Sequence, residues 1–315
     1  MRMIVLFFSI FVIFFELPVQ SITVEEVPIQ TYALNRKNKR RAKIAICAMF
    51  KNEGEYLKEW IEYHRLIGVE HFYLYNNCSS DLSWLPMLNK YIKEGIVELF
   101  DVPFDSSGCH DGAKTHNFVQ VCCYNHAIRL ARDFNTWLAI IDSDEFICPV
   151  KHSKLIEVLS QFCYAAGLVL YWQNYGTSNV WDLNPGELLI EKLLYRESNE
   201  GGIGLFKSIV KPKYAECMDP HCCTYAGATF SVDPTHARFS HTRVFSQLPT
   251  DLIRINHYRY RTMSFYENVK RKRRSEWGDA PDETEERRRQ DLANKVYDPV
   301  MLRFVPELKA KLLKK

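Results

Sequence analysis

Asp142, Asp144 and Glu145 stand within four residues of one another, directly after the apolar run Trp137-Leu-Ala-Ile-Ile141 and before Phe146 and Ile147. An unpaired carboxylate is costly to bury, so acids that close a core strand need a counter-charge. Two aspartates two residues apart at a strand end point to one side, where their oxygens can hold a hard divalent cation. Alternation turns Glu145 away from Asp144 and assigns it to support of the fold or to the acceptor side. The apolar run itself reads as a strand covered on both faces, the pattern of a parallel sheet. In such sheets ligands collect beyond the carboxyl ends of the strands.

Other reactive side chains are weaker signals. The segment 204–211 reads as a strand carrying Lys207 and Lys211, which can meet phosphate or simply lie on the surface. His64 recurs with Tyr56, Leu57, Trp60, Ile61 and Ile67 at helical spacing, so a structural histidine is the reading there. His221 sits among Cys217, Cys222 and Cys223, but their spacing matches no zinc site. The ten cysteines fit an oxidising compartment, and the 215–229 segment reads as a disulfide-tied loop. Asn77-Cys-Ser79 is a glycosylation sequon. A formal net charge of +3 is too balanced to argue for nucleic acid, and the basic runs 36–43 and 270–274 read as a stem and a solvated face.

The positioning elements follow in order. Strands are predicted at 43–50, 71–75 and 95–100, separated by helices at 56–67 and 85–94, which gives a parallel, doubly wound half-sheet. No Gly-x-Gly-x-x-Gly or Walker sequence is present, which argues against a dinucleotide cofactor or an ATP loop. A helix over 117–132 leads into the strand at Trp137. A helix at 153–165, a buried strand at 167–172, an apolar strand opening at 251–262 and a basic helix from Ser264 complete the body.

Arg2 precedes the apolar run Met3–Phe15, which is too short for an ordinary membrane span but has the length of a signal-peptide core or short signal anchor. Arg2 before it and Glu16, Glu25 and Glu26 after it place the body of the protein across a membrane. The expected organisation is a leader at 1–21, a stem at 22–42, one catalytic α/β domain at 43–280 and a charged, solvated helical extension at 281–315.

Several stretches together resemble glycosyltransferase family 92. They are Lys51-Asn-Glu-Gly-Glu-Tyr-Leu-Lys-Glu-Trp60 with Tyr63-His64, Tyr75–Asp81, Trp137–Phe146, Trp172-Gln-Asn-Tyr-Gly176, Lys207-Ser-Ile-Val-Lys-Pro212 and Asn256-His257-Tyr258, in family order. The resemblance implies a GT-A-like fold with a Rossmann-type, mostly parallel central sheet flanked by helices. It also implies a UDP-sugar donor, UDP-galactose, held through Mn²⁺ (or Mg²⁺) at Asp142 and Asp144, with His257 completing the metal shell. Phe50, Lys51, Asn52 and Glu53, together with Asn76 and Asp81, would cradle the uridine. The family's second strand often ends in an acid where this chain has Asn76 or Asn77. Inverting transfer to a glycan acceptor needs a base, for which Asp219, Glu187 and Asp279 are the candidates, Asp279 in front.

Two other classes compete. A binding protein on the same fold would keep the pocket without turnover, and retention of Asp142, Asp144 and His257 argues against it. A phosphoesterase or nucleotidyltransferase would want further carboxylates at other strand ends for a second metal, and no obvious set is present.

Overall fold

The computed structural model describes residues 29–33, 41–102, 116–199, 201–272 and 282–313. Its strands in chain order are β1 Gln30–Ala33, β2 Ala42–Phe50, β3 His71–Asn77, β4 Val97–Val102, β5 Asn135–Ile140, β6 Glu145–Cys148, β7 Gly167–Asn174, β8 Tyr195–Arg196, β9 Phe206–Val210, β10 Ala215–Met218, β11 Cys223–Tyr225, β12 Ser231–Val232, β13 Arg254–His257 and β14 Val296–Tyr297. The helices used below are α1 Gly54–Leu66, α2 Trp84–Lys93, α3 His116–Ala131 and α4 Leu155–Leu159.

The continuous apolar sequence of β2 is explained by cover on both faces. Ile44, Ile46, Ala48 and Phe50 join a core with residues of α1, α2 and α4, whereas Ala45, Cys47 and Met49 join a second core under α3. β3 and β5 divide the same way, Phe72, Leu74, Trp137 and Ala139 to the first core and Tyr73, Tyr75, Leu138 and Ile140 to the second. The α/β class with a mostly parallel central sheet between helices is therefore as the sequence predicts.

The sheet runs β1-β4-β3-β2-β5-β9-β7-β13-β6, with β12 beside β7. β2, β3, β4 and β5 are mutually parallel where they pair. From β2 the chain moves outward through β3 to β4 and then returns across α3 to β5 on the other side of β2. Strand order thus reverses at β2, and a crevice opens between the carboxyl ends of β2 and β5, the place where such sheets bind ligands. β9 runs antiparallel to both β5 and β7, and β13 is parallel to β7 and antiparallel to β6.

β6 follows β5 by only four residues yet lies four places away in the sheet. A flat sheet would separate the two by about 19 Å at roughly 4.8 Å per strand, more than a turn of that length can bridge. This half of the sheet therefore curls, and it brings β13 and β7 round to the crevice.

Four expectations are corrected. Part of the expected stem is an edge strand, β1, paired antiparallel with β4. The extension beyond 281 is not solvated throughout: Met301, Phe304, Val305 and Leu308 are buried in the first core, placing the terminal helix Val305–Leu313 against α1. The 215–229 segment is not disulfide-tied, because Cys217, Cys222 and Cys223 are thiols and the β10–β11 ladder holds the hairpin. The helix expected over 153–165 is shorter, α4 running into a 3₁₀ turn at Ser160–Phe162. The leader lies outside the described residues; among the described residues no helix is long and apolar enough to cross a membrane.

Candidate active site

The acids do not continue β5; they form the tight turn that joins it to β6. The Glu145 amide donates to the Asp142 carbonyl at 3.1 Å, and the Asp142 amide donates to Glu145 Oε2 at 2.9 Å. Glu145 is fully buried, its carboxyl pushed well above the usual range by burial, against the pull of Lys207 and with reinforcement from Asp142. It supports the fold of the loop that presents the two aspartates.

β6 has a strand on one side only, and α1 serves its other edge. Trp60 Nε1 donates to the Glu145 carbonyl at 2.7 Å, and the Tyr63 hydroxyl donates to the Ile147 carbonyl at 2.8 Å. The Ile147 amide donates to His64 Nε2 at 3.2 Å, while His64 Nδ1 donates to the Trp60 carbonyl at 2.8 Å. Burial pushes His64 down to about 3, with the Trp60 carbonyl opposing, so the ring stays neutral and can accept at Nε2. The structural reading of His64 holds.

Each aspartate has its own cation. Lys207, 1% exposed in the middle of β9, places Nζ 3.0 Å from Asp142 Oδ2, and Gln120 Nε2 and the Tyr124 hydroxyl donate to Asp142 Oδ1 at 2.9 and 3.0 Å. Lys270 Nζ lies 2.5 Å from Asp144 Oδ2 and donates also to the Arg259 carbonyl. Burial opposes both negative charges, but Lys207 outweighs it at Asp142 and Lys270 with His257 outweighs it at Asp144, so both carboxyls are lowered. Burial likewise lowers Lys270, whereas for Lys207 the attraction of Asp142 and Glu145 overcomes burial and raises it.

His257 ends β13 opposite Glu145 on β6 and Asn174 on β7. Its Nδ1 donates to Asn174 Oδ1 at 3.0 Å, which leaves the lone pair of Nε2 facing Asp144 Oδ1 across 3.5 Å. Burial keeps the ring neutral, Asp144 opposing. Two acceptors facing each other with no proton between them suit a cation, and an imidazole oriented through its other nitrogen is the usual form of a metal-ligating histidine. Two carboxylates and one neutral imidazole fit Mn²⁺ or Mg²⁺ in kind. Among the described residues, however, no three His, Cys, Asp or Glu side chains converge on one point, because Asp142 and Asp144 turn to separate lysines.

A cleft of about 150 Å³ opens over this turn, lined by Phe50, Lys51 and Glu53 from the exit of β2, Asn77 from β3, Gln120 from α3, and Asp142, Ser143, Asp144 and Lys270. Glu53 is ion-paired with Arg261, a fully buried guanidinium stacked 4.1 Å from the Tyr56 ring centroid and 4.7 Å from that of Phe265.

Phe50, Lys51, Glu53, Asp142, Asp144 and His257 are thus brought together, and Lys207 joins them from beneath. Asn52, Asn76 and Asp81 are engaged in tying loops. Asn52, at φ 53°, accepts from the Ser80 amide and donates to its hydroxyl, Asn76 accepts from the Ser79 amide and donates to Asp101, and Asp81 accepts from Ser83. Lys211 lies just beyond the other end of β9, over the Trp137 ring and bonded to the Cys163 carbonyl, so it is no phosphate contact at this cleft. Asp219 accepts the amides of His221 and Cys222 in the β10–β11 turn. Glu187 pairs with Lys192 beside a different cavity. Asp279 lies outside the described residues. Asn77 is buried and lines the cleft, so its sequon is not an exposed glycan acceptor. Lys270, expected on a solvated face, and Gln120, Tyr124 and Arg261 are site residues that spacing did not reveal.

A family model described as glycosyltransferase family 92 matches residues 42–295. A family 92 protein of Ricinus communis is 34% identical over 107 residues, 33% of this chain and 16% of the relative, and one of Oryza sativa subsp. japonica is 29% identical over 131 residues, 41% and 20% respectively. The match with either relative thus spans a fifth of its length or less. Among solved structures, S. aureus TarS aligns with TM-score 0.31 and 14% identity over 48% of this chain and 26% of its own. The mannosyltransferase Ktr4p from S. cerevisiae aligns with 0.27 and 13% over 50% and 48%. The family match spans the sheet from β2 onward, the crevice and both aspartates, and the chain belongs to glycosyltransferase family 92.

Proposed function

We propose that this chain transfers a hexose, galactose, from its UDP-sugar to a glycan acceptor with inversion and with Mn²⁺ as the donor-site cation. The observation that carries the reading is the crevice at the strand-order reversal, with Asp142 and Asp144 both lining it and His257 presenting a neutral Nε2 to Asp144. Asp142, Asp144 and His257 would hold the cation, which when bound neutralises charge developing on the leaving diphosphate. Gln120 and Tyr124 fix the orientation of the Asp142 carboxylate, and Asn174 fixes the imidazole. Lys207 and Lys270 set positive charge beside the two carboxylates without ordering water. Phe50, Lys51 and Glu53 offer an apolar face and two charges to the nucleoside side of the cleft. Asp279 is the acceptor base carried in this reading, since the Asp219 carboxylate is committed to its own turn. The apolar leader Met3–Phe15 would deliver the domain to a lumenal or extracytoplasmic compartment.

The test is nucleotide release from UDP-galactose by the purified full chain, with Mn²⁺ and with chelator, beside Asp144→Ala. Release that requires Mn²⁺ and disappears in the variant is expected. Full release by Asp144→Ala would overturn the metal assignment, and binding of UDP-galactose without any turnover would favour a non-catalytic carbohydrate-binding protein.

A further inference from the structure

A second cleft, about 200 Å³, lies behind the candidate metal site, lined by Asn174, Glu197, Arg259, Tyr260, Arg289 and Ala293 among others. It shares its wall with that site. Asn174, which holds His257 through Oδ1, turns its amide nitrogen to Glu197 Oε1 at 2.9 Å. The Arg259 carbonyl accepts from Lys270 Nζ at 2.5 Å, the same ammonium that holds Asp144. The hydrogen bonds from His257 to Asn174 and from Asn174 to Glu197 therefore run from the imidazole that faces Asp144 into the second cleft.

The cationic groups of this cleft are not all spent. Among the described residues the half-buried Arg259 guanidinium makes no ion pair or hydrogen bond, although it stands 5.9 Å from the Tyr260 ring centroid. Arg289 engages Glu285 through Nε at 2.9 Å, which leaves its two terminal nitrogens for another partner. Burial pushes the Tyr260 phenol up to about 12, with Arg259 and Arg289 opposing and Glu286 and Glu197 reinforcing, so these charges act around one buried hydroxyl. Guanidinium forks match the planar two-oxygen geometry of a carboxylate, and a carboxylate with an amide beside it accepts and donates to sugar hydroxyls.

We infer that this second cleft is the acceptor subsite and that it takes a sugar residue bearing a negative charge, a uronic acid, with Arg259 and Arg289 on the acid and Glu197 and Asn174 on the hydroxyls. The inference rests on the transferase reading above, because it assigns the acceptor side of the same site. Its specific content is the charge of the acceptor, which no donor-site residue determines.

The experiment is ligand-observed NMR titration of the full chain with glucuronate, galactose 6-sulfate, glucose and inorganic sulfate, in the absence of UDP-sugar and Mn²⁺, repeated on Arg259→Ala and Arg259→Lys. Glucuronate is expected to bind at least about tenfold more tightly than glucose, with Arg259→Ala removing that preference and Arg259→Lys restoring only part of it. Galactose 6-sulfate matching glucuronate would overturn the choice of a carboxylate. Equal binding of glucose, or binding of sulfate alone as tight as glucuronate, would overturn the sugar-acid subsite. Among the described residues Arg259 makes no hydrogen bond or ion pair that its loss would break, only the long approach to the Tyr260 ring, so unchanged glucuronate binding by a folded Arg259→Ala refutes the assignment directly. Glucuronate binding that persists in a chain showing no nucleotide release would leave this site standing while the transferase reading fails, so the two failures are distinguishable.

Discussion

Lys207→Met tests whether the candidate site is assembled by charge. The lysine is 1% exposed, and its Nζ has Asp142 Oδ2 at 3.0 Å and the Pro220 carbonyl at 3.3 Å as partners. Methionine keeps the volume but leaves Asp142 without its cation, beside a Glu145 that already resists ionisation. In the wild type Lys207 overcomes burial and lowers the Asp142 carboxyl, so Asp142 contributes stability that is present above its unfolded pKa and is lost only as pH falls. In the variant the sign inverts. Asp142 would take up in the folded state a proton that it loses in the unfolded chain near 3.9, so the penalty grows as pH rises. At about 1.4 kcal/mol per pH unit this bounds the loss at about 4 kcal/mol at pH 7 and about 2 kcal/mol at pH 5.5. The Asp142 side chain is 30% exposed, so solvent screening brings the neutral-pH figure to about 3 kcal/mol. Urea midpoints of the wild type, Lys207→Met and Lys207→Met with Asp142→Asn, each at both pH values, give the answer. The deficit should shrink on acidification, and the double variant should recover most of it. A deficit of equal size at both pH values, unrelieved by Asp142→Asn, would mean that Lys207 acts by packing alone.

Two further outcomes follow from the same geometry. The folded pKa of His64, about 3, lies below its unfolded value near 6.5, so the neutral ring contributes stability that is present above pH 6.5 and is lost as pH falls towards 3, by up to about 1.4 kcal/mol per unit. His64→Phe should flatten this acid limb in urea-midpoint profiles while costing about 1–3 kcal/mol at pH 7 for the orphaned Ile147 amide; an unchanged acid limb would refute a buried neutral His64. A Cβ on Gly176 would stand 2.3 Å from Asn294 Oδ1 and 2.8 Å from the Ala293 carbonyl, so Gly176→Ala should cost about 1–3 kcal/mol and raise amide exchange in the helix Glu283–Ala293, and exchange rates matching the wild type would show that this contact does not dock the helix.

The parts of the molecule that sequence made visible are those whose physics is local. The β2-α1-β3-α2-β4 order, the covered strand before Asp142 and the acids at its end all announce themselves through neighbouring residues. Non-local pairing carries the rest. Lys207 and Lys211 look equivalent on one strand, but four residues at about 3.3 Å each put them roughly 13 Å apart, one under Asp142 and the other against Trp137. Lys270 begins a basic run that reads as a solvated face, and only the curl that brings β13 beside β6 shows why its first member pairs with Asp144. Trp60 and His64 follow one helical face and read correctly as core, but the polar atoms on those rings, with the Tyr63 hydroxyl, serve the unpaired edge of β6, a demand set 85 residues away. The burial of the C-terminal segment was legible: Met301 and Phe304 in a 3₁₀ turn at Val300–Phe304, then Val305 and Leu308 in the terminal helix, repeat at helical spacing, and the charges at 285–289 obscured a pattern that the fold uses to close its first core. In the site, likewise, the aspartates are specified where they stand, whereas the cations that make them tolerable come from strands and helices far along the chain. Substitution of either lysine is therefore the sharper test of whether the two acids were placed for chemistry, because a merely structural turn would not need both.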